Sequence, residues 1–110
     1  MSLRLIKVVV LVLALSVASV AQARSVSFDV INNTGYTLTA LYAGPSSFDD
    51  WGSNVLDRPA QDGTSVSITI QLPNANECRF DFRYEFSDGD AYEEYAINVC
   101  EIDGDEYIIE

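Results

Sequence analysis

The sequence contains no histidine, only two cysteines and, beyond Lys7, no lysine. Without histidine the commonest general base is missing, and so is the commonest ligand of transition metals. Without lysine after residue 7, Schiff-base chemistry has no amine in the body of the chain. Positive charge is scarce altogether: six Lys plus Arg stand against 17 Asp plus Glu, a net charge of −11. That balance excludes nucleic-acid binding by counterion release, which needs a basic face. Also missing are any stretch with helical amphipathic period, any internal repeat and any low-complexity linker. A length of 110 residues is about one domain.

The one long apolar run lies at the start. Arg4 and Lys7 precede Val8 to Val20, and Ala21-Gln22-Ala23 is a small-x-small cleavage site, the three parts of a secretory signal peptide over residues 1–23. The rival reading, a membrane anchor, is disfavoured because Val8 to Ala23 gives 16 residues where roughly 20 are needed. Lipid anchoring would need a cysteine at the new N-terminus, where Arg24 stands. Cleavage would leave residues 24–110 as one acidic domain with four arginines, 17 acids and a net charge of −13. The expected location is the periplasm or the medium, with no membrane contact after cleavage. Oxidising surroundings make a Cys78–Cys100 disulfide the expected state of the two cysteines. It is a staple that so small a core needs.

Residues 24–110 alternate in polarity. Val26, Phe28 and Val30 alternate with Ser27 and Asp29, a half-buried strand. Asn32-Asn33-Thr34-Gly35 supplies a turn, and Tyr36 to Tyr42 reads as a second strand, presenting Tyr36, Leu38, Ala40 and Tyr42 on one face and forming a hairpin with the first. Asn32-Asn33-Thr34 also matches a glycosylation acceptor. From Ala43 to Asp57 the alternation stops. Ser47-Phe48-Asp49-Asp50 has capping-box spacing, so one short helical turn is expected within a long loop, followed by a brief edge strand at Val55-Leu56.

Val66, Ile68, Ile70 and Leu72 define another strand, ended by Pro73-Asn74. From Cys78 to Phe86 every even residue is apolar or aromatic and every odd one charged, giving one dry and one wet face. A two-residue Asp88-Gly89 turn then pairs Phe82 with Tyr95, Phe80 with Ile97, Cys78 with Val99 and Arg83 with Glu94. In that register Cys100 points away from Cys78, which a β-bulge near Asn98 to Cys100 would correct. A three-residue turn is the alternative, less favoured because it turns Tyr95, Ile97 and Val99 away from the core. A last strand runs from about Glu106 to Ile109. The fold class expected is all-β: a small antiparallel sandwich or partly open barrel of six to seven strands with one disulfide.

Negative charge is concentrated toward the C-terminus: residues 77–110 hold 12 of the 17 acids and only Arg79 and Arg83. Such a face attracts cationic partners and repels nucleic acid and anionic membranes, or serves solubility alone. Asp88, Asp90, Glu93 and Glu94 beside one turn, and Asp103, Asp105 and Glu106 at the next, are candidate oxygen ligands for a weak calcium site, without the spacing of an EF-hand loop. Tyr42, Pro45, Phe48 and Trp51 are a candidate partner loop; the plainer reading makes Trp51 a plug at one end of the sandwich. No cofactor is implied.

Val30-Ile31-Asn32-Asn33-Thr34-Gly35, Leu41-Tyr42, Trp51-Gly52, Asp62-Gly63 and Asp88-Gly89 together resemble a family of small exported bacterial β-proteins that share an Asn-x-Thr-Gly turn, a Trp-Gly loop and an Asp-Gly hairpin. The resemblance covers most of residues 26–109 and implies an exported location. Members of that family have no characterised activity and are sometimes labelled argininosuccinate lyase. The label does not suit this chain, since that lyase is a long helical oligomer using a serine loop and a lysine. The sequence therefore points to an exported, non-catalytic binding or interaction domain with an acidic surface and a cationic protein as partner. The alternative is an inhibitor of a cationic secreted enzyme such as a lysozyme, with Pro45 to Trp51 as the inserted loop.

Overall fold

Six strands form two three-stranded sheets stacked as a sandwich, in a computed structural model that describes residues 24–110. The signal peptide expected over residues 1–23 lies outside the described residues. The strands are β1 (Arg24–Asn32), β2 (Leu38–Pro45), β3 (Ser65–Leu72), β4 (Arg79–Phe86), β5 (Ala91–Asn98) and β6 (Glu106–Ile109). One sheet has the order β3-β1-β6 and the other β2-β4-β5. All neighbours are antiparallel except β1 and β6, which run parallel. Among the described residues no helix is long and apolar enough to cross a membrane.

Period-two patterning builds the core. Alternate residues of β1, β3 and β4 are buried, so Val26, Phe28 and Val30 meet Val66, Ile68 and Ile70 from one sheet and Phe80, Phe82 and Tyr84 from the other. Phe82 is wholly buried. Its ring stacks on Phe28 at 6.1 Å and meets Tyr84 and Tyr107 edge-on at 6.1 and 5.9 Å, the offset and T-shaped arrangements that aromatic quadrupoles favour.

Several expectations are corrected. β1 and β2 make no hairpin: both edges of β1 are taken, by β3 and β6, and the chain crosses to the other sheet. Asn32 holds that corner. It is fully buried, its amide donating to the carbonyls of Tyr36 (2.7 Å) and Ala60 (2.9 Å) while its oxygen accepts from the Thr34 amide and hydroxyl. With every polar atom engaged, it is a structural residue with no room for a glycan. In β2 a register shift between Leu38 and Ala40 lets Leu38 and Leu41 both be buried, while Tyr36 falls outside the strand and is exposed. The capping-box segment forms only a turn, from the Phe48 amide to the Pro45 carbonyl, because the Ser47 hydroxyl donates to Glu77 instead. Val55-Leu56 is no strand: Asn54 and Ala60 make single bridges to β2 on either side of it. Among the described residues the strands number six.

The β4–β5 hairpin contains the correction that matters most. Its turn has three residues, Ser87-Asp88-Gly89, with the Phe86 amide bonded to the Asp90 carbonyl and Gly89 at φ 88°, a left-handed geometry that glycine adopts freely. Phe82 thus pairs with Glu94 and Arg83 with Glu93. A bulge then restores the expected register, so that Phe80 pairs with Ile97 and Val99 bonds to the Cys78 carbonyl. The bulge centres on Ala96, whose φ is 56°, upstream of the Asn98 to Cys100 position expected. Cys100 lies in the turn after β5 and joins Cys78 in a disulfide with Cα atoms 5.4 Å apart.

Candidate functional site

A one-residue slip in a strand exchanges its two faces, and between the turn and the bulge β5 is slipped in this way. Tyr95, expected in the core, lies outside on the β2-β4-β5 sheet and is 64% exposed. Glu94, expected opposite Arg83 on the wet face, lies on the side of Phe82. Each displaced side chain becomes part of an acid-lined concavity, one on the outer face and one between the sheets.

The outer concavity, about 310 Å³, is lined by Gly44, Phe48, Asp49, Asp50, Trp51, Asp81, Glu93 and Tyr95. It exists because Gly44 has no side chain. A Cβ there would stand 2.3 Å from the Asp50 carbonyl oxygen, so only glycine lets the loop lie flat on β2. Trp51 is half-buried, with its ring tilted 42° to that of Tyr95 at 6.5 Å. It is no plug of the sandwich, and it stands outside the core cluster. Asp81 accepts from the Ser46 hydroxyl (2.7 Å) and from the Ala96 amide (2.9 Å), pinning loop and bulge together. Glu93 accepts from the Tyr95 hydroxyl and from Arg83 at 2.8 Å. These two bonds, Tyr95's first, hold the Glu93 carboxyl below the ordinary range, and the same contact raises the Tyr95 phenol.

The inner concavity opens between β5 and β6, the edge strands of the two sheets. Tyr107 donates to Glu94 there. Tyr84 is 2% exposed, and among the described residues its hydroxyl has the Tyr107 hydroxyl and the Glu94 carboxylate as its polar neighbours, both disfavouring its ionisation. Burial chiefly, then these neighbours, pushes the Tyr84 phenol far up; burial and Glu94 push Tyr107 up to about 12. In the unfolded chain both phenols ionise near ~10. A raised folded-state pKa contributes stability that is complete below the unfolded value and is lost as pH rises toward the folded one. Urea midpoints are accordingly expected to hold steady up to about pH 10 and to fall between about pH 10 and 12. Tyr107→Phe should flatten that decline.

Of the candidate partner loop, Phe48 and Trp51 line the outer concavity. Tyr42 is half-buried opposite Arg83, and Pro45 ends β2 opposite Phe80. Asp88, Asp90, Glu93 and Glu94 are brought together around the inner concavity. Asp103, Asp105 and Glu106 are not with them: the Asp103 carboxylate accepts from the Ser27 amide, and the Asp105 carboxylate from the Glu106 amide. Among the described residues no three acidic side chains converge closely enough to enclose a metal ion, so the calcium reading gains no support. The sequence reading missed Tyr84, Tyr95 and Tyr107 as site residues, along with Asp81, Asp49 and Asp50. The signal available was Ser87-Asp88-Gly89 read as a three-residue turn with glycine last. Comparison with protein-family models, curated proteins and solved structures finds no match to this chain.

Proposed function

We propose that the chain is an exported, non-catalytic interaction domain that captures an arginine or lysine side chain of a cationic partner protein in the outer concavity. The observation that carries this reading is the Trp51–Tyr95 pair set among Asp49, Asp50, Asp81 and Glu93. Ring faces attract a cation through their quadrupoles, by about 0.5–2 kcal/mol depending on desolvation. The surrounding carboxylates add long-range attraction that speeds encounter. Arg83 neutralises one of the four acids, leaving the concavity negative. The disulfide suits an oxidising compartment, and a signal peptide over residues 1–23 would deliver the chain there. The narrower reading, an inhibitor of a cationic secreted enzyme, is favoured by Phe48, which remains 55% exposed on the same loop.

Trp51 is the only tryptophan, so its fluorescence reports on the concavity directly. Titration with a short arginine-containing peptide is expected to change that fluorescence saturably, and Tyr95→Ala to weaken binding by about tenfold. A Trp51 signal indifferent to the peptide, or a Tyr95→Ala protein that binds equally well, would overturn the proposal. Loss of lysozyme activity in the presence of excess protein would establish the inhibitor form of it.

A further inference from the structure

We infer that β3 is a docking edge for a second copy of this chain, the two β3 strands pairing antiparallel across a two-fold axis at Ile68. The pairing joins two β3-β1-β6 sheets into one six-stranded sheet. It uses none of the residues that line the outer concavity and does not rest on cation capture.

The first observation is how differently the sheet edges are guarded. β2, β3, β5 and β6 are the four edges. An open edge is a template for another strand, and proteins blunt it by covering, charge, bulges or shortness. β2 is covered: Leu38 exchanges both main-chain bonds with Ala60, and the Leu41 carbonyl accepts from Val55. β5 carries Glu93 and Glu94 and is bulged at Ala96. β6 has only four residues and begins with Glu106. β3 has none of these protections. Its eight residues, Ser65 to Leu72, include no charge and no proline, and its register with β1 runs without a shift.

The second observation is where the main-chain groups of β3 point. β1 turns Ser27 and Asp29 toward β6, since the Ser27 carbonyl accepts from Gly104 and the Asp29 amide donates to Asp105, whereas Asn32 exchanges bonds with Gly63 and Thr64 at the β3 side. Main-chain direction alternates along a strand, so Val26, Phe28 and Val30 bond across to Ile70, Ile68 and Val66. Ser65, Ser67, Thr69 and Gln71 are left with N–H and C=O pointing outward, and all four residues are exposed. Among the described residues no main-chain hydrogen bond from a turn or loop reaches them.

Charge selects the occupant. Residues 24–110 carry a net charge of −13, so two copies repel over most of their surface and meet with least repulsion at this neutral edge. A cationic segment finds no acid on the strand. The strand is also self-complementary. Centred on Ile68, Ser65 faces the partner's Gln71 and Ser67 the partner's Thr69, each pair exchanging two main-chain bonds, about eight in all. Two-fold pairing consumes the edge on both copies, so assembly stops at the dimer. A strand of eight residues is far smaller than the roughly 20–30 residues a side of a standard interface, so the dimer is weak, with a Kd on the order of 100 µM.

Sedimentation velocity from about 10 µM to about 1 mM protein is expected to show the average mass rising from one chain toward two and no further. Amide exchange at Ser65, Ser67, Thr69 and Gln71 should slow as concentration rises, while that of β5 stays constant. Salt raised from about 20 mM to about 500 mM should strengthen the association by screening like charges, the opposite of its expected effect on cation capture. Thr69→Pro removes an outward N–H that the single chain does not use and should weaken dimerisation by about tenfold or more. Thr69→Glu sets a carboxylate on each side of the axis and should weaken it by about fivefold or more. Circular dichroism establishes that each variant is folded. A protein that stays monomeric at the highest concentration, masses beyond two chains, exchange slowed in β5 in place of β3, association weakened by salt, or folded variants that dimerise as the wild type does would each overturn the inference.

Discussion

Phe82→Ala is expected to lower the unfolding free energy by about 3–5 kcal/mol, the range for emptying a well-packed aromatic site. The position combines everything that makes such a cavity costly. The ring is fully buried, it is in contact with rings from both sheets, and the disulfide-stapled hairpin limits how far the sandwich can collapse into the gap. A domain of this size has about 4–13 kcal/mol in all, so the variant would be marginally folded at room temperature. Urea denaturation gives the value directly. A loss under about 1 kcal/mol would mean that the sheets are not packed through Phe28, Phe82 and Tyr107 as described.

Removal of the disulfide, by Cys78→Ala with Cys100→Ala, is expected to cost about 3 kcal/mol in the chain-entropy treatment for a loop closed over 22 residues. The staple ties the start of β4 to the turn beyond β5, and β5 is an edge strand with six consecutive exposed residues, Ala91 to Ala96. Little apolar burial holds that edge in place, so the loss should appear first there, as faster amide exchange from Ala91 to Asn98, while β1 and β3 keep their protection. Intact mass after alkylation without reductant should show no modified thiol in the wild-type protein. Two alkylated cysteines would remove the staple from the account.

How far the sequence reveals this molecule differs sharply between strands and pairings. Polarity alternation locates β1, β3 and β4, because a half-buried strand must alternate and Val26 to Val30, Val66 to Leu72 and Phe80 to Phe86 do so without interruption, while β6 is legible only as the short segment after the Asp103-Gly104-Asp105 turn. Which strands become neighbours is less legible. β1 and β2 are adjacent in sequence and joined by a good turn, yet the decisive contacts are the buried Asn32 amide and the parallel partner β6, 77 residues downstream. The sites are least legible of all. Tyr95 and Glu94 have the polarity of a core residue and a surface residue, and a two-residue turn would place them so. The three-residue turn with its Gly89, compensated at Ala96, reverses them. Local composition permits both turns, and the choice is made by the whole hairpin: Phe80, Ile97 and Val99 need one register near the disulfide, and the turn adopts another.

The slipped segment of β5 also explains why the acidic surface has a specific form. Evenly spread carboxylates would give a solvated shell. Here the slip places Tyr95 beside Trp51 and brings Glu93 into one patch with Asp81 and Arg83 on the same sheet face. Ring and charge then stand together in one patch, as the proposed cation capture requires.

The measurement that tests cation capture most directly is the Trp51 fluorescence titration with the arginine-containing peptide, repeated from about 20 mM to about 500 mM salt, where the screening length falls from roughly 20 Å to roughly 4 Å. Affinity is expected to drop by about tenfold over that range, with the residual binding at high salt abolished by Tyr95→Ala. Binding that ignores salt would contradict the electrostatic part of the account, and no Trp51 response at any ionic strength would contradict the proposed site itself.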